Sequence, residues 1–476
     1  MTELVVCSHR GPVIFSRGQA GVQLDLAGPG GLVATVAPAV EQFGGTWFFA
    51  PASDHEAGLA KLTPGGVRRG MVTYRVLDLP RAAHHDHYAT ISTELLMPLF
   101  HYGLPLGDRP CFGERTRSAW KHYRLINSLY AESVSRHCGG DAALVEDVHL
   151  MLLAAAFRAT ATGRRRDLPL AYFHHVPWCE PDYFGVLPGP IRQEILAALL
   201  AYDSVGFHCR RWAEAFWACC ERYLPGVSRA GDLITCDDRQ TRLVISHATV
   251  DVGLLTTTLN SPRTREWQQK LTELTGHGDR ELIVRVERAD PAKNTVRGLQ
   301  AYAALLDRRP ALAEQTLLLA VLTPVRMWMP EYRRYLEDCQ AHAAAINERF
   351  PGNPVCLHLG ADAHAHDQHR ALAALSLARA VMVTSTYDGC NLVAMEAVLA
   401  GAQPSLVLSE NTGVHAWFGQ YAFSVNPFDA AETSEAVERA LGQADGERTS
   451  RAAEMRRIIE THTPSDWIRD RLDGLR

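Results

Sequence analysis

Arg288 and Lys293 stand five residues apart in VERADPAKN, and almost a hundred positions later STYDGCNLVAMEA brings Asp388 and Glu396. Two fixed positive charges are what a departing diphosphate needs, because negative charge grows on its terminal oxygen as the attached group leaves. The second segment reads as an apolar strand, Ala380 to Thr384, then a turn closed by Asp388-Gly389 and a helix beginning near Asn391. A strand that feeds a helix through a glycine turn leaves backbone N–H groups aimed at whatever sits there. Gly389, Cys390, Asn391, Leu392 and Val393 would then cradle a diphosphate, with Glu396 further along the helix accepting hydrogen bonds from ribose hydroxyls. Either segment alone is equally an ordinary strand-turn-helix with a surface ion pair; both in order read as a sugar-nucleotide site.

The elements that must position these residues follow from the pattern. Short apolar runs alternate with amphipathic helical stretches over nearly the whole chain, which predicts an α/β protein with parallel sheets. Strands are expected at Leu4 to Ser8, Thr46 to Phe49, Ala143 to Val145, Leu168 to Phe173, Ser204 to Phe207, Leu282 to Val286, Gln315 to Leu322, Val355 to Leu359, Ala380 to Thr384 and Ser405 to Leu408. Helices are expected between them, among them Gly31 to Gln42, His149 to Ala159, Thr295 to Leu306, Glu331 to Arg349 and Asn391 to Ala400. A length of 476 residues exceeds one core, and LVISHATVDVG suggests a boundary near residue 248, giving domains 1–248 and 249–463. The last segment, from Thr463, has a Pro-Ser-Asp helix start and apolar Trp467, Ile468 and Leu472, so residues 464–476 are expected to return to the first domain. Two open α/β domains facing each other would put strand ends on both sides of a cleft, where such folds bind ligands.

The bulk numbers exclude several classes. A formal charge of -5 gives no global attraction to nucleic acid or anionic lipid, so anions must be bound by locally placed arginines. MTELVVCSHRG lacks a basic n-region and a long apolar stretch, and no apolar run approaches the 18 or so residues that span a bilayer; a cytoplasmic protein is expected. Eleven scattered cysteines without CxxC spacing indicate neither a disulfide framework nor a zinc site. Histidines 364, 366 and 369, spaced by two and three on a loop entering a helix, make a poor ligand face, and metal-independent chemistry is expected. Histidines 84, 85 and 87 matter only if they line an acceptor pocket.

SHRGP, PGGL, GGTWF, Tyr88 followed by LLMPLFHY, VEDVHLMLL, FHHVPW, the Arg288–Lys293 pair, TPVR, DGCNLVAMEA and LVLSENTG occur in this order along the chain. Over essentially the full length the chain resembles the trehalose-6-phosphate synthases, retaining glycosyltransferases of the two-domain GT-B architecture. The resemblance implies that Gly30 and Gly31 form a mobile loop at the donor diphosphate, that His175 and Asp388 hold donor hydroxyls, and that Asp147 contacts the acceptor. Taken alone, Asp147 could equally cap the helix at His149. By the same resemblance Arg10, Tyr88 and Arg326 bind an acceptor phosphate.

Departures concentrate on the acceptor side. The family's usual VHDYHL reads VEDVHL, with Glu146 and Val148 as the changed residues, a tryptophan wall becomes Met97, and a lysine in the nucleotide helix becomes Met395. Ser385-Thr386, Met97, DPAKN, the arginine after TPV and SVNPFD are closer to the validoxylamine 7'-phosphate synthases, pseudo-glycosyltransferases that use a GDP-linked donor. The expectation is therefore a metal-free retaining transfer from a nucleoside-diphosphate donor, GDP-linked by preference, to a small anionic acceptor in specialised metabolism. Alternatives are a trehalose-6-phosphate synthase proper, an S-glycosyltransferase acting on a thiol such as ergothioneine, with Glu146 and His84 to Tyr88 meeting a cationic or imidazole-like acceptor, and an inactive nucleotide-binding homologue. A hydrolase would need two carboxylates; Asp147 and Asp388 are candidates, but they fall in separate domains. A homo-oligomer is compatible with the sequence.

Overall fold

A computed structural model describes residues 3–18, 21–26, 31–107, 109–137, 139–160, 167–276, 280–360 and 367–475. The chain forms two compact units. One takes the opening strands and Leu32–Ala248 together with Pro464–Arg476; the other takes Thr249–Thr463.

The sheet of the first unit has ten strands. Its parallel body runs Val72–Val76, Gly45–Phe49, Leu4–Ser8, Ala142–Glu146, Leu170–His174, Ser204–Phe207, Arg239–Ile245, which in chain order is 3-2-1-4-5-6-7. Short antiparallel strands, Val67–Arg69 on one edge and Leu233–Cys236 with Ser228–Ala230 on the other, close it. Leu4–Ser8 and Ala142–Glu146 are buried at every position, as strands covered by helices on both faces must be. The expected Leu4 to Ser8 run is found unchanged, and Thr46 to Phe49 extends by one residue to Gly45, where a Cβ would lie 1.9 Å from the Leu4 carbonyl oxygen.

The second unit carries six parallel strands, Val355–Leu359, Thr316–Thr323, Glu281–Arg288, Ala380–Val383, Ser405–Ser409 and Phe423–Val425, in chain order 3-2-1-4-5-6. Helices cover it. Leu299, Tyr302, Leu305 and Leu306 of Thr295–Arg308 recur at helical spacing and pack with Ile283, Leu318 and Met382. Both sheets therefore reverse their winding beside their first strand, between strands 1 and 4. Helices leave to opposite faces there, and the carboxyl ends of the two strands open into a crevice.

Glu114–His137, the longest helix described, has no counterpart in the expectations above. Its charged residues hide a stripe of buried Trp120, Tyr123, Ile126, Asn127, Tyr130 and Val134 at three- and four-residue spacing. Expected helix Asn391 to Ala400 begins later, at Val393, because Asn391 takes a left-handed φ of 75°. No helix among the described residues is long and apolar enough to cross a membrane.

Pro464–Asp473 is helical and belongs to the first unit's core: Trp467 and Ile468 are buried with Leu4, Trp47, Phe49 and Phe173. Trp467 meets Phe173 edge-on at 5.0 Å between centroids, and the Ser246 hydroxyl donates to Asp470 Oδ2 at 2.6 Å. Trp467→Ala is expected to cost about 3–5 kcal/mol, the range for emptying an aromatic site in a packed core. Urea denaturation followed by far-UV circular dichroism checks this; a midpoint unchanged from wild type would mean that the helix is not anchored.

Candidate functional site

In the second unit the switch point gathers the charged residues. Arg288 is the last residue of Glu281–Arg288, and the chain then makes a single turn of 3-10 helix, Pro291–Lys293, capped by Asp290 Oδ1 accepting from the Ala292 N–H at 3.1 Å. Across the crevice, the loop after Ala380–Val383 brings Asp388, whose carboxylate forms an ion pair with Lys293 Nζ. The same oxygen accepts from Asn391 Nδ2 at 3.0 Å and Ser385 Oγ at 3.3 Å. Arg288 is half-exposed, with Nη2 4.0 Å from Asp290 Oδ2. Arg326, from the loop after Thr316–Thr323, reaches the same oxygen at 3.3 Å and donates to the Tyr332 hydroxyl at 2.6 Å. Three cations and two carboxylates thus lie at the end of strand 1 and on the loops following strands 1, 2 and 4.

Buried polar groups hold these loops. The Arg285 guanidinium, fully buried, donates to Glu287 Oε1 (2.9 Å), Thr384 Oγ1 (2.8 Å) and the Lys293 carbonyl (3.0 Å). Asn294 Nδ2 ties the carbonyls of Thr384 and Pro427 at 2.9 and 2.7 Å. Gly389 lies against Gly413 so closely that a Cβ on Gly413 would sit 1.9 Å from the Gly389 oxygen. Four of the eight non-glycine residues with positive φ among those described lie beyond strand ends near the switch points: Asp147 after strand 4 of the first unit, and Asn294, Arg326 and Asn391 after strands 1, 2 and 4 of the second. Such strain persists only where surroundings over-determine it, and it collects at functional sites.

In the first unit, Ser8 leads to His9 and Arg10, and Glu146 to Asp147, whose φ of 69° and ψ of 175° form a combination nearly reserved for glycine. Asp147 makes no side-chain cap; its Oδ1 instead accepts from the His175 N–H at 3.2 Å, and burial raises its carboxyl above the usual range. His9 stacks against both Tyr88 (4.5 Å, 7°) and His149 (4.6 Å, 11°), whose own centroids lie 6.1 Å apart, and the Arg10 guanidinium lies 5.7 Å from the Tyr88 centroid. Tyr88 and His87 are carried by Asp86–Leu96, a π-helical stretch in which the Met97 N–H bonds five residues back to Ser92. Wide turns of this kind often mark functional positions. Met97, partly buried, opens the following short helix, Met97–Phe100.

The two α/β units share their winding, with a paired lysine and aspartate at one switch point and an arginine beside a tyrosine at the other. The pattern of Glycosyltransferase family 20 matches residues 2–476. The chain belongs to that family. It is 27% identical over 485 residues to validamine 7-phosphate valienyltransferase of Streptomyces hygroscopicus subsp. jinggangensis, covering all of this chain and 94% of that one. It is 30% identical over 495 residues to trehalose-6-phosphate synthase of Mycobacterium leprae, with the same coverage. Among solved structures, an alpha,alpha-trehalose-phosphate synthase (UDP-forming) from Burkholderia xenovorans in complex with glucose-6-phosphate superposes with a TM-score of 0.83 at 25% identity, over 99% of both chains. The enzyme is a glycosyltransferase, and its fold is the expected GT-B fold.

The second unit brings together Arg288, Lys293, Asp388, Gly389, Cys390 and Asn391, with Arg326 beside them through Asp290. Leu392 and Val393 begin the helix that carries Glu396. Arg10, Tyr88, Met97, Asp147 and His175 belong to the first unit. Gly31 opens the helix Gly31–Phe43, and Gly30 lies outside the described residues, as do His364 and His366. His369 Nδ1 bonds to the hydroxyls of Ser261 (3.0 Å) and Thr264 (2.9 Å). Glu146 corrects an expectation: it is fully buried and engaged by Arg471 and His175, so it does not meet a cationic acceptor. Asp290, Tyr332, Arg285 and Arg471 were not expected. Asp290 sits inside the quoted motif, but nothing in the sequence links Arg471 to a residue 325 positions earlier.

Glu396 is buried, and burial lifts its carboxyl to about 7 in spite of a hydrogen bond with Gln368. A carboxyl whose pKa is raised by folding contributes stability that is full below the unfolded value and lost as pH rises through the folded one. Wild type should therefore lose roughly 2–3 kcal/mol relative to Glu396→Gln between pH 4.5 and pH 8. Urea titrations of both proteins at these pH values test it, and a constant difference would refute the assignment.

Proposed function

We propose that the enzyme transfers a sugar or sugar-like unit, with retention, from a nucleoside-diphosphate donor, GDP-linked by preference, to a small anionic acceptor in specialised metabolism. The second unit takes the donor: Arg288, Lys293 and the backbone N–H groups of Asn391 to Val393 meet the diphosphate, and Glu396 the ribose. His175 and Asp388 take the donor's sugar-like part, and the Gly30–Gly31 segment approaches its diphosphate. Arg10 and Tyr88, with Arg326, take the acceptor anion, and Asp147 its hydroxyls.

The observation that carries this reading is the Lys293–Asp388 ion pair at the switch point, with half-exposed Arg288 on the adjoining strand end. In the proposed reaction the bond from the anomeric carbon to the diphosphate oxygen breaks, and its electron pair stays on that oxygen under Arg288 and Lys293. The acceptor atom bonds to the same face of the carbon, and its proton passes to a diphosphate oxygen. No enzymic nucleophile takes part, so catalysis is positioning and electrostatic stabilisation. Likeness to the valienyltransferase, in whole-chain identity and in the Met97 and Ser385-Thr386 details, supports a specialised pathway. Likeness to trehalose-6-phosphate synthases supports a sugar-phosphate acceptor as the second reading.

A screen of GDP- and UDP-linked donors against sugar phosphates, cyclitol phosphates and thiols, read by mass spectrometry, tests both readings through the coupled product. Donor breakdown without an acceptor would instead indicate a hydrolase. With the productive pair, Arg288→Ala is expected to lower kcat by about 10²-fold or more, as losing a donor to developing charge does in other enzymes. Turnover within a few-fold of wild type would remove Arg288 from the mechanism.

A further inference from the structure

Glu146 ends the strand Ala142–Glu146, and its carboxylate is completely buried with both oxygens engaged. Arg471 of the C-terminal helix donates from Nη1 to Oε1 at 2.8 Å, and His175 Nε2 lies 2.8 Å from Oε2. Arg471 is itself 1% exposed, its guanidinium 5.0 Å from the Phe173 centroid and 4.8 Å from that of Trp467. A buried carboxylate would normally take up a proton; here the Arg471 charge and the His175 hydrogen bond outweigh burial and hold the Glu146 carboxyl below its ordinary value.

An ionised carboxylate only accepts, so the hydrogen between Glu146 and His175 belongs to Nε2. His175 Nδ1 has no hydrogen bond among the described residues, while the backbone N–H of the same residue is held by Asp147. The ring is thus fixed at one nitrogen and open at the other.

We propose that Glu146 is a positioning residue that locks His175 in its Nε2–H form, leaving Nδ1 to accept a hydroxyl of the donor's sugar-like unit, and that Arg471 enforces this choice from the C-terminal helix. The ligand half rests on the reading of His175 as a donor contact. The positioning half does not.

The arrangement makes a distinctive demand on Glu146→Gln. Arg471 can only donate, so it claims the amide oxygen and turns the NH₂ towards His175. Nε2 must then accept, and the proton moves to Nδ1. In the double variant E146Q/R471M the amide is free to rotate, and its oxygen returns to His175. Two-bond ¹H–¹⁵N correlation spectra of the full-length protein, with His175 assigned by difference from H175A, report the tautomer. The expected series is Nε2–H in wild type, Nδ1–H in E146Q and Nε2–H again in the double variant. Steady-state kinetics should follow it: kcat/KM for the donor falls at least about tenfold in E146Q, the scale of one inverted hydrogen bond, and recovers to within about threefold in the double variant.

An Nδ1–H ring in wild type, or an unchanged tautomer in a folded E146Q, overturns the positioning role. The wild-type spectrum decides even if the single variant fails to fold with an unpaired buried arginine. Unchanged donor kinetics in H175A would remove the ligand half together with the donor-site assignment of His175, while the tautomer series would stand.

Discussion

The reversal of strand order beside the first strand is the constraint on which the chemistry of both units depends. Everywhere else in a parallel sheet successive connections wind in one direction, and the loops at the carboxyl ends crowd one another. Between strands 1 and 4 they part. In the second unit the residues that this parting brings to the strand ends are Arg288 and the loop of Asp388; in the first they are His9, Arg10 and Asp147. Backbone strain gathers at the same places, at Asn294 and Asn391 in one unit and Asp147 in the other, and also at Arg326 after the neighbouring strand 2. Each strained residue is tied by named partners, so the sheet order selects the location and the local hydrogen bonds fix the shape.

Charge balance explains how the second unit keeps several cations together before any anion arrives. Lys293 is matched by Asp388, and Asp290 stands between Arg326 and Arg288. Under the proposed donor role, a diphosphate would meet cations already oriented by carboxylates, so little reorganisation would be needed when charge develops on a leaving oxygen. The carboxylates have a second consequence. Asp388 Oδ2 serves Lys293, Asn391 and Ser385 at once, so the cation's position is coupled to the turn that begins the next helix. Arg285 beneath the loop acts in the same sense, joining strand 1 to Thr384 and the Lys293 carbonyl. The positive charge and the backbone N–H groups are therefore set by one network.

Much of the fold was legible because buried parallel strands must be apolar throughout. Leu4–Ser8 and Ser204–Phe207, buried at every position, match their expected runs residue for residue, and so does Val355–Leu359 at the half-buried sheet edge. The edge strands Ser228–Ala230 and Val67–Arg69, half in solvent, have no such run to betray them, and the hairpin Val13–Gly18 with Gly21–Leu26 was missed although Val22, Leu24 and Leu26 alternate with Gln23 and Asp25. Glu114–His137 was hidden by its charges, although its aromatic stripe is visible once the helix is known. Site residues that share a segment, such as Arg288 with Lys293 or Asp388 with Asn391, could be grouped from spacing. Pairings set by long-range packing could not: Glu146 with Arg471, and His9 against Tyr88 and His149, depend on where separate elements dock.

The first unit's aromatic cluster limits what can supply its positive charge. His9, His84 and His87 lie within 6.5 Å of one another by ring centroid. Burial, and secondarily their own neighbours, hold His9 well below the ordinary imidazole value, His84 at about 4, and His87 at about 3 despite a hydrogen bond to the His149 backbone. At neutral pH these rings are uncharged. Among the residues gathered there, Arg10 then carries the cationic character, and the histidines contribute flat faces and ring nitrogens. An anion recognised at this end must be met by Arg10 over Tyr88, while the stacked rings behind it fix the tyrosine. The histidine-rich segment is therefore better understood as scaffolding for one arginine and one phenol than as an additional charge reservoir, and substitutions that loosen the stack should act through the placement of Tyr88.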